Sequence, residues 1–184
     1  MNVQAPLDPL VRRTRPGSIS VKQASRTISD KSTVDQNTHG SDVSGAALTA
    51  AGWKSRDMPG FMGLAGPLWT RRIEDSGEHP ASWQFGLLVQ ARHLNPVGIV
   101  HGGALTTLID HAVSLQAWSH SGRQPCVTVE LTTHFVGAAR EGEFLVADAQ
   151  VTHATRSMLF LRGAISVEDR PVLLAQAIMK VTRS

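Results

Sequence analysis

Asp110 is the only acidic or basic side chain apart from histidine in Asn95 to Trp118, NPVGIVHGGALTTLIDHAVSLQAW, a segment with no lysine, arginine or glutamate. An isolated carboxylate can take a proton from water as a general base, or attack an electron-poor carbon itself. Either use needs an electrophile held close by. His101-Gly102-Gly103 offers a way to hold one, because it follows the turn-like Asn95-Pro96-Val97-Gly98 and leads straight into an apolar helical period. Glycines are poor helix formers, so a pair at a helix start has two readings: a tight turn that needs positive φ, or close approach of another group to the backbone. In the second reading, free N–H groups and the positive end of the helix dipole face that group, which suits a polarised carbonyl or an oxyanion.

The helix that must carry Asp110 has an unusual polar side. On a wheel of about 100° per residue, Ala104, Leu105, Leu108, Ile109, Ala112, Val113, Leu115 and Trp118 form a wide apolar arc that belongs against a sheet. The remainder is a narrow stripe of Thr106, Thr107, Asp110 and Ser114, with His111 at its border. Solvated stripes normally carry long charged side chains, which favour helix and keep their heads in water. Short polar groups instead imply that this stripe faces a tight, partly enclosed space. The plainer alternative is an ordinary exposed Asp on a helix that lacks Lys and Glu.

The elements around this helix follow from turn residues and alternation. Ala47 to Trp53 reads as the start of a short helix, and DMPGFMGLAGP, Asp57 to Pro67, as loop. Pro67 to Glu74 and Ser82 to His93 read as strands split by the turn-rich DSGEHP. Gly122 is a helix stop. In the strand that follows, Val127, Val129, Leu131 and Phe135 fall on one face by strict alternation, with Thr128, Glu130, Thr132 and His134 on the other. Phe144 to His153, Met158 to Glu168 and Val172 to Thr182 continue as strands, the last two joined by a hairpin turn at Glu168-Asp169-Arg170-Pro171. Consecutive strands on short links favour an antiparallel sheet, and the single long helix must bury its stripe on that sheet, so the class is α+β.

Composition bounds the rest. The chain has 184 residues, 41% hydrophobic and 18% charged, which is enough for one globular domain with a core. Residues 1–46 are polar and aperiodic and read as a disordered tail ahead of a domain at 47–184. Asp8, Asp30, Asp35 and Asp42 argue against an organelle-targeting peptide there. The formal charge of +3 is spread over scattered residues, with only short pairs such as Arg12-Arg13 and Arg71-Arg72, so no nucleic-acid partner is expected. No apolar run approaches the ~20 residues of a membrane helix. A single cysteine, Cys126, fits a reducing, cytoplasmic setting and cannot build a cysteine-rich zinc site. Neighbouring histidines at 93, 101, 111 and 120 lack the i, i+4 spacing of a helical metal site, so neither metal nor cofactor is expected. No G-x-S-x-G elbow, P-loop or dinucleotide glycine pattern is present. The tryptophans at 53, 69, 83 and 118 read as core or interface anchors, and Trp69 or Trp118 alternatively as pocket lining.

Asn95-x-x-Gly98-x-x-His101-Gly102-Gly103, then six residues, then Asp110, resembles the signature of the hotdog-fold acyl-CoA thioesterases of the phenylacetic-acid-degradation (PaaI-like) group. The resemblance runs from about Trp53 to Thr182, through Phe61 to Gly66, Pro67-Leu68-Trp69 and Val127 to Leu131. It implies a sheet of five to six antiparallel strands wrapped around one long central helix, and hydrolysis of small or medium, aliphatic or aromatic, acyl-CoA thioesters to free acid and coenzyme A. By position, Asp110 takes the role of catalytic carboxylate and Gly103 that of the backbone N–H that polarises the carbonyl. Asn95 and His101 shape the site and orient water or the loop, Thr128 places a hydroxyl near the reacting centre, and Gly102, Arg156 and Ser157 are expected to contact substrate. A hydratase or dehydratase on the same fold, or a non-catalytic acyl-CoA-binding or regulatory protein, are the alternatives.

One step needs no resemblance. Gly103 and Asp110 are seven positions apart, so on one helix they are separated by roughly 10 Å at ~1.5 Å per residue. One helix therefore does not readily place both on a single carbon. Two helices related by a two-fold axis do so twice, which predicts an obligate homodimer, with a dimer of dimers as the larger assembly.

Overall fold

In the computed structural model the residues described are 43–74 and 82–182. The tail expected at 1–46 lies outside them except for its last four residues, which lead into α1 (Gly45–Ala50), capped by the Ser44 hydroxyl accepting from the Ala47 N–H at 3.2 Å. The turn expected at 75–80 is likewise outside the described residues.

Seven strands form one antiparallel sheet in the order β1-β2-β3-β5-β6-β7-β4. They are β1 (Lys54–Arg56), β2 (Leu68–Ile73), β3 (Ser82–Leu88), β4 (Cys126–Phe135), β5 (Phe144–Ala154), β6 (Met158–Val167) and β7 (Arg170–Val181). The extra strand beyond the expected five or six is β1, three residues long and paired only with β2. Three further local differences have one cause, the weak signal of very short elements. Phe61–Ala65 is a one-turn helix, α2, inside the expected loop. β3 stops at Leu88, and a 3-10 turn at Ala91–His93 replaces its expected end. The helix expected at Ala47 to Trp53 ends at Ala50, leaving Trp53 buried against Phe144 at 4.9 Å, edge to face.

The long helix α3 (Gly102–His120) crosses the sheet as expected of a hotdog arrangement. Leu105, Leu108, Ile109, Ala112, Val113 and Ala117 face the sheet and are at most 5% exposed. They pack on Leu145, Ala147, Leu161, Ile165, Leu173 and Met179 in a single core. Trp118 departs from the predicted apolar arc: it is 41% exposed, and Arg123 lies over its ring. The helix is leaving the sheet there and ends two residues later, where Gly122 at φ 70° lets the Arg123 N–H close on the Trp118 carbonyl at 2.8 Å.

The crossing is close because β6 carries Gly163, where an added Cβ would lie 2.8 Å from Ile109 Cδ1 and 3.0 Å from the Asp148 carbonyl. Gly163→Val therefore has to push helix and sheet apart. We expect a loss of about 2–3 kcal/mol from overpacking, read as a lower urea midpoint at unchanged slope. An unchanged midpoint would show that the helix is not seated as described.

Candidate active site

The polar stripe of α3 is sunk even within one chain. No residue from Ala104 to Ala117 is fully exposed, and Thr106, Thr107, Asp110, His111 and Ser114 are all half-buried. Helical geometry puts Asp110 on the flank toward β4 and His111 on the flank toward β3. Asp110 Oδ1 accepts a hydrogen bond from the Thr128 hydroxyl of β4 at 2.9 Å. His111 meets Phe85 of β3 edge-on at 5.7 Å between ring centroids.

Thr128 reaches Asp110 because β4 is bulged. Thr128 pairs with Met179 and Glu130 with Ile178, so Val129 has no partner in β7 and the side-chain alternation shifts. Beyond the bulge Leu131, Thr133 and Phe135 pair with Ala177, Ala175 and Leu173, which are buried under α3. Thr128 thus shares the helix side with Leu131 and Phe135, contrary to the strict alternation read from the sequence. The outer face carries Glu130 and Thr132, whose side chains bond each other at 3.2 Å.

The start of α3 removes the positive-φ reading of the glycine pair. Neither Gly102 nor Gly103 has positive φ. An added Cβ on Gly102 would lie 3.3 Å from the Phe135 ring, and one on Gly103 would lie 3.0 Å from His101 Nδ1, so close approach is what requires them. His101 is the N-cap, and its Nδ1 accepts the Gly103 N–H at 2.8 Å. The Gly103 donor, expected to be free for a carbonyl, is held by the neighbouring imidazole. That bond requires a neutral His101 with its proton on Nε2.

Asn95 builds the approach to this turn. Its Oδ1 accepts from the N–H groups of Val97 at 3.1 Å and Ile99 at 3.3 Å, while Gly98 adopts φ 77°. The side-chain carbonyl of Asn95 therefore shapes the loop. Arg156 and Ser157 sit in the β5–β6 turn, both exposed, and among the described residues no hydrogen bond joins them to Asp110 or to the start of α3. Among the described residues no group of His, Cys, Asp and Glu is placed to hold a metal ion, and no helix is long and apolar enough to cross a membrane.

One residue that matters here was not predicted. His93, only 4% exposed, lies in the 3-10 turn and uses both ring nitrogens. Nδ1 accepts the Gln90 N–H at 2.9 Å, and Nε2 donates to the Ala65 carbonyl at 2.5 Å. Its partner Ala65 is 28 positions away, so no local pattern reveals it.

Burial pushes the pKa of His93 down, opposed by its bond to Ala65 and assisted by Arg92. Burial likewise lowers His111, opposed by the Asp110 charge, and His111 Nε2 is buried without a partner among the described residues. Both histidines resist protonation when folded but accept protons when unfolded, below about pH 6.5. The unfolded chain then binds more protons, so stability is full above that pH and falls as pH drops toward the lowered folded values. The urea midpoint is expected to fall between pH 7.5 and pH 5.5, and a flat or rising midpoint would contradict neutral buried histidines.

Comparison with known proteins bears on the fold and the family. The thioesterase superfamily model matches residues 97–174, from just after Asn95 into the first part of β7. A Pseudomonas aeruginosa protein, PA0474, whose name assigns it provisionally as an esterase, is 33% identical over 93 residues, covering 50% of this chain and 69% of that one. The fold is shared with the conserved protein PA5202 from Pseudomonas aeruginosa, at TM-score 0.58 and 24% identity, over 68% of this chain and 96% of that one. The Bacillus halodurans protein BH2602, crystallised with CoA, is similar at TM-score 0.50 and 26% identity over 53% of this chain and 70% of that one. The chain belongs to the thioesterase superfamily of thioester hydrolases.

Proposed function

We propose that this protein hydrolyses acyl-CoA thioesters to free acid and coenzyme A, as a homodimer with each site shared between two chains. One observation carries the reading: β4 is an edge strand that runs along α3, with Thr128 at Asp110 and Phe135 against Gly102. Its free edge shows Val129 at 56% exposure, and Val127 and Phe135 are similarly open. Long apolar edges are usually paired or covered. Antiparallel pairing of two β4 strands about a two-fold axis sets the Gly102-Gly103 end of one chain beside the Thr128-Asp110 end of the other, twice. The roughly 10 Å that separates Gly103 and Asp110 on one helix is thereby bridged between chains.

In such a site the carbonyl oxygen takes the Gly103 N–H as the His101 ring turns aside, so the developing oxyanion meets a backbone donor and the helix dipole. Asp110 then removes a proton from water while hydroxide adds to the carbonyl carbon, or itself forms an acyl anhydride that water opens. The C–S bond breaks in both routes and coenzyme A leaves as the thiolate. Thr128 holds Oδ1 and leaves Oδ2 for the reaction. CoA as the carrier is supported by the similarity to the Bacillus halodurans protein crystallised with it.

Thiol release followed with a colorimetric thiol reagent over phenylacetyl-, benzoyl-, butyryl-, hexanoyl- and decanoyl-CoA tests the proposal. Saturable release is expected. Binding of these esters without release would place the protein among acyl-CoA-binding modules instead.

A further inference from the structure

The short helix α2 presents its apolar residues the wrong way round for a simple packing element. Met62, with Met58 just before the helix, packs on the core, yet Phe61 and Leu64, one turn apart on the other side, are 71% and 74% exposed. Such side chains on a one-turn helix have almost no intrinsic helical stability behind them. Their position is fixed from outside. The His93 ring donates to the Ala65 carbonyl in the last turn of α2, and the Arg92 guanidinium sits so close to Gly66 that a Cβ there would strike it. The same His93 accepts the His101 N–H on its backbone carbonyl at 2.8 Å, immediately before the α3 donors. A single residue therefore links α2 to the place where a thioester carbonyl would sit.

Resting on the thioesterase reading above, we propose that Phe61 and Leu64 form the apolar wall that the acyl chain lies against, and that His93 is the positioning residue that holds this wall beside the carbonyl site. An acyl chain fits the patch better than pantetheine does, because α2 offers hydrocarbon and no side-chain partner for pantetheine amides. Polar truncation of the wall thus removes binding in proportion to chain length, and loosening the clamp does the same without touching Asp110.

The test compares wild type, Phe61→Ser/Leu64→Ser, His93→Asn and His93→Gln over acetyl- to decanoyl-CoA. It reads thiol release, amide hydrogen exchange of residues 61–66 and sedimentation. The double variant is expected to raise KM for decanoyl-CoA by at least about tenfold while KM for acetyl-CoA stays within about twofold. Asparagine at 93 keeps an acceptor for the Gln90 N–H but does not reach Ala65, so it is expected to reproduce that selective rise, keep kcat, and speed exchange at 61–66. Glutamine reaches Ala65 with an amide donor and is expected to restore the long-chain KM. An equal KM change at all chain lengths, or monomers from the double variant, overturns the proposal, the latter by making Phe61 and Leu64 partner contacts. If wild type releases no thiol, the hydrolytic reading fails by itself, and equilibrium binding of the same esters takes the place of KM. Chain-length-selective weakening in the variants then still supports the wall, and its absence overturns it.

Discussion

Asp110→Asn is expected to lower kcat by about 10²–10⁴-fold with little change in KM, the range for loss of a positioned base. That corresponds to roughly 3–5 kcal/mol of transition-state stabilisation. Asparagine is nearly the same size and keeps an oxygen to accept from the Thr128 hydroxyl, so the bond made at 2.9 Å survives. Stability should therefore stay within about 1 kcal/mol of wild type. The combination is diagnostic: chemistry lost, fold retained. Activity within a few-fold of wild type would show that the lone carboxylate of the stripe is not the reacting group, whatever its surroundings.

The second large effect comes from the free edge of β4. Val129 occupies the bulge, lacks a β7 partner and is 56% exposed, so the chain's own core does not depend on its side chain. Val129→Lys places a charge where two chains are proposed to meet, and like charges brought together across an interface cost several kcal/mol. Sedimentation should shift from dimer to monomer with the far-UV spectrum unchanged, since lysine on a sheet edge is a common protective device. Thiol release should fall by at least about a hundredfold, because a monomer cannot set Gly103 opposite Asp110. A monomer with full activity per chain would remove the shared-site geometry and leave only the fold.

The sequence carried the main helix and the sheet for a physical reason: long elements repeat their pattern often enough to be read. Val172 to Thr182 is an apolar run whose burial alternates from Leu173 to Lys180, and α3 shows buried apolar residues at helical spacing throughout its central turns. Asp110, His101 and the glycine pair stood out as candidates because each departs from what a solvated helix prefers. What escaped was tertiary or irregular. The bulge at Val129 leaves no mark in residue type, since valine suits any strand, yet it decides which face Thr128 joins. Trp118 fits the apolar arc of the wheel but lies where the helix has outrun its sheet. In sequence His93 drew notice only as a metal-ligand candidate, because its structural role depends on a carbonyl supplied by a distant turn. The capping of the Gly103 N–H by His101 was hidden as well, histidine not being a preferred N-cap. It makes the donor conditional on a movement of that ring.

Subunit complementation tests the shared site most directly. Two inactive proteins, Asp110→Asn and Gly103→Val, the latter crowding His101 and the carbonyl position, are mixed after partial unfolding and refolded together. In a mixed dimer one site receives Gly103 from the first chain and Asp110 from the second and is intact, while the other site carries both changes. Random pairing then predicts recovery of about a quarter of wild-type activity, from parents that each have almost none. No recovery from a sample that sedimentation shows to contain mixed dimers would mean that Gly103 and Asp110 act within one chain, and would contradict the account.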